Sequence, residues 1–432
     1  MSDLKNNELD QHFKTTTSWF RAAAPYIHAH GGATFVVAFD GESIASAGFD
    51  NLLHDLALLN SLGIQLVLVY GARMQIEQQC QQLNIPQQFH QGLRITDEAT
   101  LVVARRVIGE LRIEIESKLS FGLPHTPMAD SRIRCTSGNL VTARPAGILD
   151  GVDLGHTGEV RRIDEQGIRQ QLSLGNLVLL PPLGYSLTGE IFNLSAEAIA
   201  TAAAITLRAD KLILIGESND GLPRELTINE AQAMQSKHPA LPAAINACLA
   251  GIDRVHLLDR NIDGALLQEL FSRDGAGTLV SASSFETTRR ATIEDVVGIL
   301  ELIQPLEQNG TVVKRSRELL EREIDHFTVM ERDGTVVACA ALYPYRSNLV
   351  GELACMAVSQ DYRNKGRGKE LLANIEQQAR QMGLKALYVL TTQTAHWFLE
   401  HGFIQTEIGQ LPVEKQAMYN YQRNSRVFRK QL

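Results

Sequence analysis

The 432-residue chain is poor in cysteine: residues 80, 135, 248, 339 and 355 are dispersed, and no C-x-x-C pair occurs. Five scattered cysteines in apolar surroundings read as reduced core residues of a cytoplasmic protein, with no redox or zinc motif. The histidines include no H-E-x-x-H, and His28 and His30, two apart, would not share a helix face. No metal is expected. A basic excess is also missing. Lysine plus arginine number 41 against 49 acidic residues, a formal net charge of −8, which argues against nucleic-acid binding driven by charge. Long apolar runs are absent too. Ala198–Leu207 is among the longest, well short of the roughly 20 residues of a membrane-spanning helix. The polar start MSDLKNNELDQHFKTTT has no signal-peptide core. The expected chain is cytoplasmic, with neither membrane nor nucleic acid as partner.

Hydrophobic residues make up 44% of the chain, enough for more than one core, and the length suits two or three domains. In the first part, TFVVAF and IQLVLVYG flank the helical pattern DNLLHDLALLNSLG. The scheme recurs with LVLL at 177–180, SAEAIATAAAITL, and KLILIG at 211–216. Strands apolar on both faces and separated by helices predict a parallel sheet covered by helices, an α/β domain. It is assigned residues 1–280. The small, polar SASSFETT has the composition of a linker, read as 281–289. Thr292-Ile-Glu-Asp295 then resembles a capping box, and Val296, Ile299, Leu300, Ile303 and Leu306 mark one helix face. Residues 290–432 form a second, smaller domain.

That domain contains GELACMAVSQDYRNKGRGKELLANIEQQARQMG. Leu353–Val358 reads as a strand. Arg363, Asn364, Lys365, Gly366, Arg367 and Gly368 make a basic glycine turn. Leu371, Leu372, Ile375, Ala379 and Met382 line the helix that follows, ended by Gly383. Strand, glycine turn and helix N-terminus together suit a phosphate, because glycine admits close backbone approach and the helix end presents N–H groups. Arg363, Lys365 and Arg367 would add charge. The strand ALYVLTT and a helix with Trp397-Phe398-Leu-Glu-His-Gly402-Phe403 come next.

This order resembles the GNAT acetyltransferases, in which the R/Q-x-x-G-x-G/A loop binds the pyrophosphate of acetyl-CoA. The resemblance implies that residues 363–368 hold the pyrophosphate, and that Met356, Ala357 and Val358 pair with the pantetheine arm. One position departs: the family's tyrosine four residues before the glycine is Phe398 here. Amine acetylation needs a base, oxyanion donors and alignment. Glu352, at the start of the strand, is the candidate base. Thr391, with Thr392, is the candidate for orienting the amine or water.

The first domain resembles the amino-acid kinase family, most closely the acetylglutamate kinases. The resemblance rests on LVLVYGARMQIE, SGNLVTARPAG, DLGHTGEVRRID and TGEIFNLSAEAIA in order. The kinases carry a lysine in K-x-G-G just after the first strand, where this chain has Ala38-Phe39-Asp40-Gly41, with an aspartate near that place. Ala244 takes the place of their second lysine, and Glu197 that of their aspartate. Without both lysines the charge of the ATP phosphates is uncompensated, so the phosphotransfer site is read as inactive.

An inactive amino-acid kinase fused to a GNAT domain resembles the bacterial N-acetylglutamate synthases. The resemblance implies an N-terminal kinase-like parallel-sheet sandwich followed by a smaller α+β GNAT domain. It implies transfer from acetyl-CoA to L-glutamate, the first step of arginine biosynthesis. Arg315 and Arg423 would bind the acceptor carboxylates, a role suited to the guanidinium fork. Cys355 would contribute only its backbone. L-arginine is the implied inhibitor, held by Glu269, His256 and the turn at Gly275 and Gly277. An N-terminal helix with Tyr26 facing the effector and a stripe of Phe20, Ala23, Ala24 and Ile27 would join dimers into a hexamer. Two readings compete: an active acetylglutamate kinase with an accessory domain, and a non-catalytic arginine sensor. The missing lysines oppose the first, and the loop with Glu352 opposes the second.

Overall fold

The structure is a computed structural model. It describes residues 2–120, 133–272, 274–282, 286–310, 312–332, 334–360, 366–417, 419 and 425–432, with side chains from Thr16 onward. The chain divides into two compact units, Met1–Ser283 and Ser284–Leu432.

The first unit is built on an eight-stranded sheet. Its six parallel strands are, in spatial order, Arg254–Asp259, Lys211–Gly216, Thr34–Phe39, Gln65–Tyr70, Leu177–Leu180 and Cys135–Thr136. Thr278–Ser281 runs antiparallel to Arg254–Asp259 and carries Glu225–Thr227 beside it. All six residues of TFVVAF are buried. Strand alternation sends Val36 and Ala38 into one core and Phe35, Val37 and Phe39 into the other. Ser195 caps the helix Ala196–Leu207, which covers the first core with Ile199, Ala200, Ala203, Ala204 and Leu207. The helices Phe49–Ser61 and Glu98–Ser120 cover the second. The N-terminal helix Ser2–His30 ends against the helix Ala265–Phe271, where the His30 imidazole lies 3.0 Å from Leu270 O.

The second unit is a seven-stranded sheet in the order Thr287–Arg290, Phe327–Arg332, Thr335–Tyr345, Val350–Val358, Ala386–Thr391, Arg426–Gln431 and Ile404–Thr406. Its single parallel pair, Val350–Val358 with Ala386–Thr391, is joined through the helix Arg367–Gln381. Leu371, Leu372, Ile375 and Ala379 of that helix are buried as their spacing predicts. Met382 is not: it falls at the C-cap and is 40% exposed. Thr292 and Asp295 close a capping box ahead of the helix Val296–Gln308.

The linker expected at 281–289 is shorter in the structure. Ser281 still pairs in the first sheet, and Thr287–Arg290 is an edge strand of the second. Arg289 anchors that strand through Asp295 and Glu331, a tertiary pairing that composition cannot reveal.

Candidate active site

The parallel pairing at the centre of the second sheet stops early. The register runs from Val350↔Ala386 to Leu353↔Val389, while the two strands continue to Val358 and Thr391. Ala357 and Val358 stay bonded to Cys339 and Ala338 on the opposite side. Beyond Leu353 the strand therefore presents one edge to a wedge between the two strands. Cys355 interrupts it with a left-handed φ of 52°, an unusual conformation for a side chain other than glycine. The facing strand shifts register between Cys339 and Ala341.

Glu352 sits at the vertex of the wedge, flanked by Tyr343 on one neighbouring strand and Tyr388 on the other. Its carboxylate is buried at 9% side-chain exposure and holds Lys415 Nζ at 2.8 Å. Tyr345 donates its hydroxyl to the other oxygen at 3.2 Å. Burial, with Glu352 beside it, pushes the Tyr345 phenol well above its usual range. Thr391, buried at the far end of the wedge, shares a 2.8 Å bond with the Thr394 hydroxyl and accepts from Thr394 N–H at 3.1 Å. The bond secures the turn into the helix Ala395–Glu400. Thr392 donates toward Gly310 O and Gln393 toward Asn309 O, tying this turn to the segment that leads to Arg315.

Arg315 is half-buried. Its backbone N–H donates to Glu307 at 2.8 Å and its guanidinium to Val313 O at 3.2 Å. Burial works against the cation, but nearby Cys355, Tyr343 and Glu323 outweigh it. Tyr343 in turn donates to Glu323 at 2.7 Å. Cys355 is buried against Cys339, and its thiol is lowered by that contact and by Arg315. The thiol expected to serve only as core packing thus adjoins the expected substrate arginine. Arg423 lies outside the described residues.

On the phosphate-loop side, Arg363, Asn364 and Lys365 also lie outside the described residues. Gly366 has φ 82° and leads into the 15-residue helix Arg367–Gln381, so its conformation calls for glycine. At Gly368 a Cβ would stand 3.3 Å from the Trp397 ring and 3.6 Å from Met356 Cε. The indole, stacked on His401 with centroids 4.1 Å apart, walls this turn. Arg367 corrects an expectation. It does not add exposed charge to the loop: its buried side chain turns inward to Glu286, at 2.7 and 2.8 Å from Nε. Phe398, 4% exposed, packs edge-on to Phe403 and provides no hydroxyl.

In the first unit the structure brings His256, Glu269, Gly275 and Gly277 together. His256 Nδ1 meets Glu269 Oε1 at 2.6 Å, and the amides of Ala276 and Gly277 donate to Oε2 at 2.7 and 2.9 Å. Burial would raise the Glu269 carboxyl, but the His256 bond and these two amides hold it down at about 2. Burial lowers His256, against the pull of Glu269. A neutral ring that donates from Nδ1 and accepts from Lys211 Nζ, 3.4 Å from Nε2, satisfies both contacts. Gly277 was expected to offer its N–H to an effector, yet that N–H already serves Glu269. Gly275, at φ 63°, has no room for a Cβ, which would fall 2.4 Å from Glu269 Oε2. Tyr26 packs against the adjacent core. Of the expected stripe, Ala23 is buried and Ile27 half-buried, whereas Phe20 and Ala24 face solvent.

The kinase-like positions carry structural roles. Asp40 accepts from Ser43 N at 2.8 Å and pairs with Arg260. Ala244 is fully buried within the helix Leu241–Leu249, and Glu197 accepts from its neighbour Ser195. A cavity of about 260 Å³ is lined by Asp55, Asp259, Arg260 and Asp263, among others.

Comparison with known proteins agrees with this arrangement. Residues 33–258 match the amino acid kinase family and residues 296–403 the acetyltransferase (GNAT) family. The amino-acid acetyltransferase of Ectopseudomonas mendocina (strain ymp) is 54% identical, over 96% of this chain and 99% of the relative. That of Pseudomonas putida (strain GB-1) is 52% identical over the same shares. The chain belongs to the amino-acid acetyltransferase family. Among solved structures it is similar to N-acetylglutamate synthase from Neisseria gonorrhoeae complexed with coenzyme A and L-arginine. That match has 36% identity, covers 96% of this chain and 99% of the other, and gives a TM-score of 0.88. The same synthase complexed with coenzyme A and N-acetyl-glutamate gives a TM-score of 0.61 at the same identity and coverage.

For this acetyltransferase, reading the sequence missed Lys415, Tyr345, Glu286 and Lys211. Lys415 sits in the unremarkable run LPVEKQ, and only the fold brings it to Glu352. Tyr345 lies seven residues before Glu352, at the end of the strand Thr335–Tyr345 that pairs with Val350–Val358 in the structure.

Proposed function

We propose that the chain transfers the acetyl group of acetyl-CoA to the α-amine of L-glutamate, giving N-acetyl-L-glutamate and CoA. The observation that carries this reading is the buried carboxylate of Glu352 at the vertex of two parting strands. One of those strands leads into the glycine turn and N-terminus of the helix Arg367–Gln381. The pantetheine arm would bond to the free edge at Met356, Ala357 and Val358, and the pyrophosphate would meet the helix N-terminus. The residues present suit such a ligand, since Gly366 adopts a glycine conformation and Gly368 leaves the turn open beside Trp397.

Glutamate enters as an ammonium with two carboxylates. Glu352, directly or through water, takes the ammonium proton. The amine then attacks the thioester carbon; as the tetrahedral intermediate collapses and the C–S bond breaks, the excess proton of the attacking nitrogen passes to the departing sulfur, directly or through water, and CoA is released. Arg315 and Arg423 would hold the carboxylates. Lys415 occupies Glu352 as an ammonium at 2.8 Å, the kind of partner the substrate's own ammonium becomes. Thr391 would orient the amine or water once its bond to Thr394 is exchanged.

The first unit we read as regulatory, with L-arginine as inhibitor in the first step of arginine biosynthesis. The guanidinium would take Glu269 from one of its present partners, which allows a ligand to shift the turn at Gly275–Gly277. Differential binding of this kind is what control requires. Solvent-exposed Trp19 and Phe20, at 46% and 61%, support assembly of a hexamer through the N-terminal helix. The protein would act in the cytoplasm. No helix among the described residues is long and apolar enough to cross a membrane.

A thiol-release assay with acetyl-CoA and a panel of amino acids tests the reading. Glutamate-dependent release supports it, and ATP consumption with N-acetylglutamate would favour a kinase instead.

A further inference from the structure

Arg367 lies between the two glycines of the loop, yet its charge is spent internally. The side chain is 8% exposed and Glu286 14%. Nε reaches both Glu286 oxygens, at 2.7 and 2.8 Å, and Nη2 donates to Oε1 as well. Arg332 Nη1 stands 3.7 Å from the same carboxylate. Glu286 lies near the start of the second unit and leads directly into the edge strand Thr287–Arg290.

We propose that Glu286 and Arg367 are a positioning pair for the cofactor: the Glu286 carboxylate, just ahead of the edge strand Thr287–Arg290, clamps the first turn of the helix Arg367–Gln381. The clamp fixes the orientation of the backbone N–H groups that would meet the pyrophosphate. It rests on the reading that acetyl-CoA binds this loop. A neutralised, buried guanidinium adds little attraction for phosphate. Its planar fork, held by a carboxylate, instead fixes the rotation of the turn that carries it. Helix-terminal N–H groups stabilise an anion only when already aimed at it.

Calorimetry with CoA and steady-state kinetics on the full chain test the clamp. The variants are Glu286→Gln, Arg367→Lys and the double variant Glu286→Gln/Arg367→Gln. The double variant removes both charges of the pair together and so guards against simple misfolding. In all three, CoA Kd and acetyl-CoA KM should rise about tenfold or more, as misplaced contacts do, while glutamate KM stays within about twofold of the parent. Recovery of parental CoA affinity in the double variant would mean that the pair only neutralises its own charges, and would overturn the positioning role. Variants that bind CoA as tightly as a binding parent overturn the clamp alone. A parent that does not bind CoA overturns the cofactor reading and the clamp with it.

Discussion

Replacing Glu269 with glutamine removes the charge on which the turn at Gly275–Gly277 closes. In the folded chain this carboxyl titrates at about 2, against an ordinary 4.5. Each unit of displacement is worth 1.36 kcal/mol, so the ionised form stabilises its surroundings by about 3 kcal/mol at neutral pH. The sign follows from a depressed carboxyl: the contribution is complete above about pH 4.5 and is lost as pH falls toward 2. By pH 3 about half remains. Glutamine keeps the shape, but its single oxygen must replace two that serve His256 Nδ1 and the amides of Ala276 and Gly277. The assay is native-state hydrogen exchange on those two amides and on the strand Thr278–Ser281. At pH 7 the variant should lose protection equivalent to about 3 kcal/mol, and the gap should narrow as pH drops below 4.5. Equal protection in parent and variant at neutral pH would refute the reasoning. If arginine binds through this carboxylate, the same variant should also resist inhibition in an arginine titration.

Three further outcomes follow from the geometry. Glu352→Gln should lower kcat by about 10²–10⁴-fold with little change in CoA affinity, the usual contribution of a general base; near-normal turnover and an unchanged pH–rate profile would remove it from that role. Gly368→Val should weaken CoA binding in calorimetry while leaving the circular dichroism spectrum intact, because even a Cβ would touch Trp397 and Met356; full-strength binding would reject the placement. Asp55 is raised to about 7 by burial and by Asp263, so its protonated form is favoured in the folded state. Its contribution is present below its unfolded value of 3.8 and is lost as pH rises through 7. Asp55→Asn should therefore raise the melting temperature at pH 8 and leave it unchanged near pH 4, as scanning calorimetry would show.

Much of the fold was legible because burial leaves a plain pattern. TFVVAF, LVLL and KLILIG are apolar on both faces since helices cover both faces of their sheet, and they form strands where expected. The site was legible only where local chemistry writes it. Gly366 marks a left-handed turn before a helix, and Glu352 stands on an apolar strand where a carboxylate is costly without purpose. The wedge itself depends on where strand pairing stops, which no local pattern encodes. Arg367 shows the same limit: the sequence places a cation in a phosphate loop, but whether it faces solvent depends on Glu286, 81 residues away. For Glu269 and Gly277 the residues were identified, but their mutual hydrogen bond was not.

The most direct measurement follows the acetyl group. With acetyl-CoA labelled in the acetyl carbonyl and L-glutamate present, label should leave CoA and appear in N-acetyl-L-glutamate, one product per CoA released, with no requirement for ATP. Label that stays on CoA, or moves to a different amine in preference to glutamate, would contradict the account.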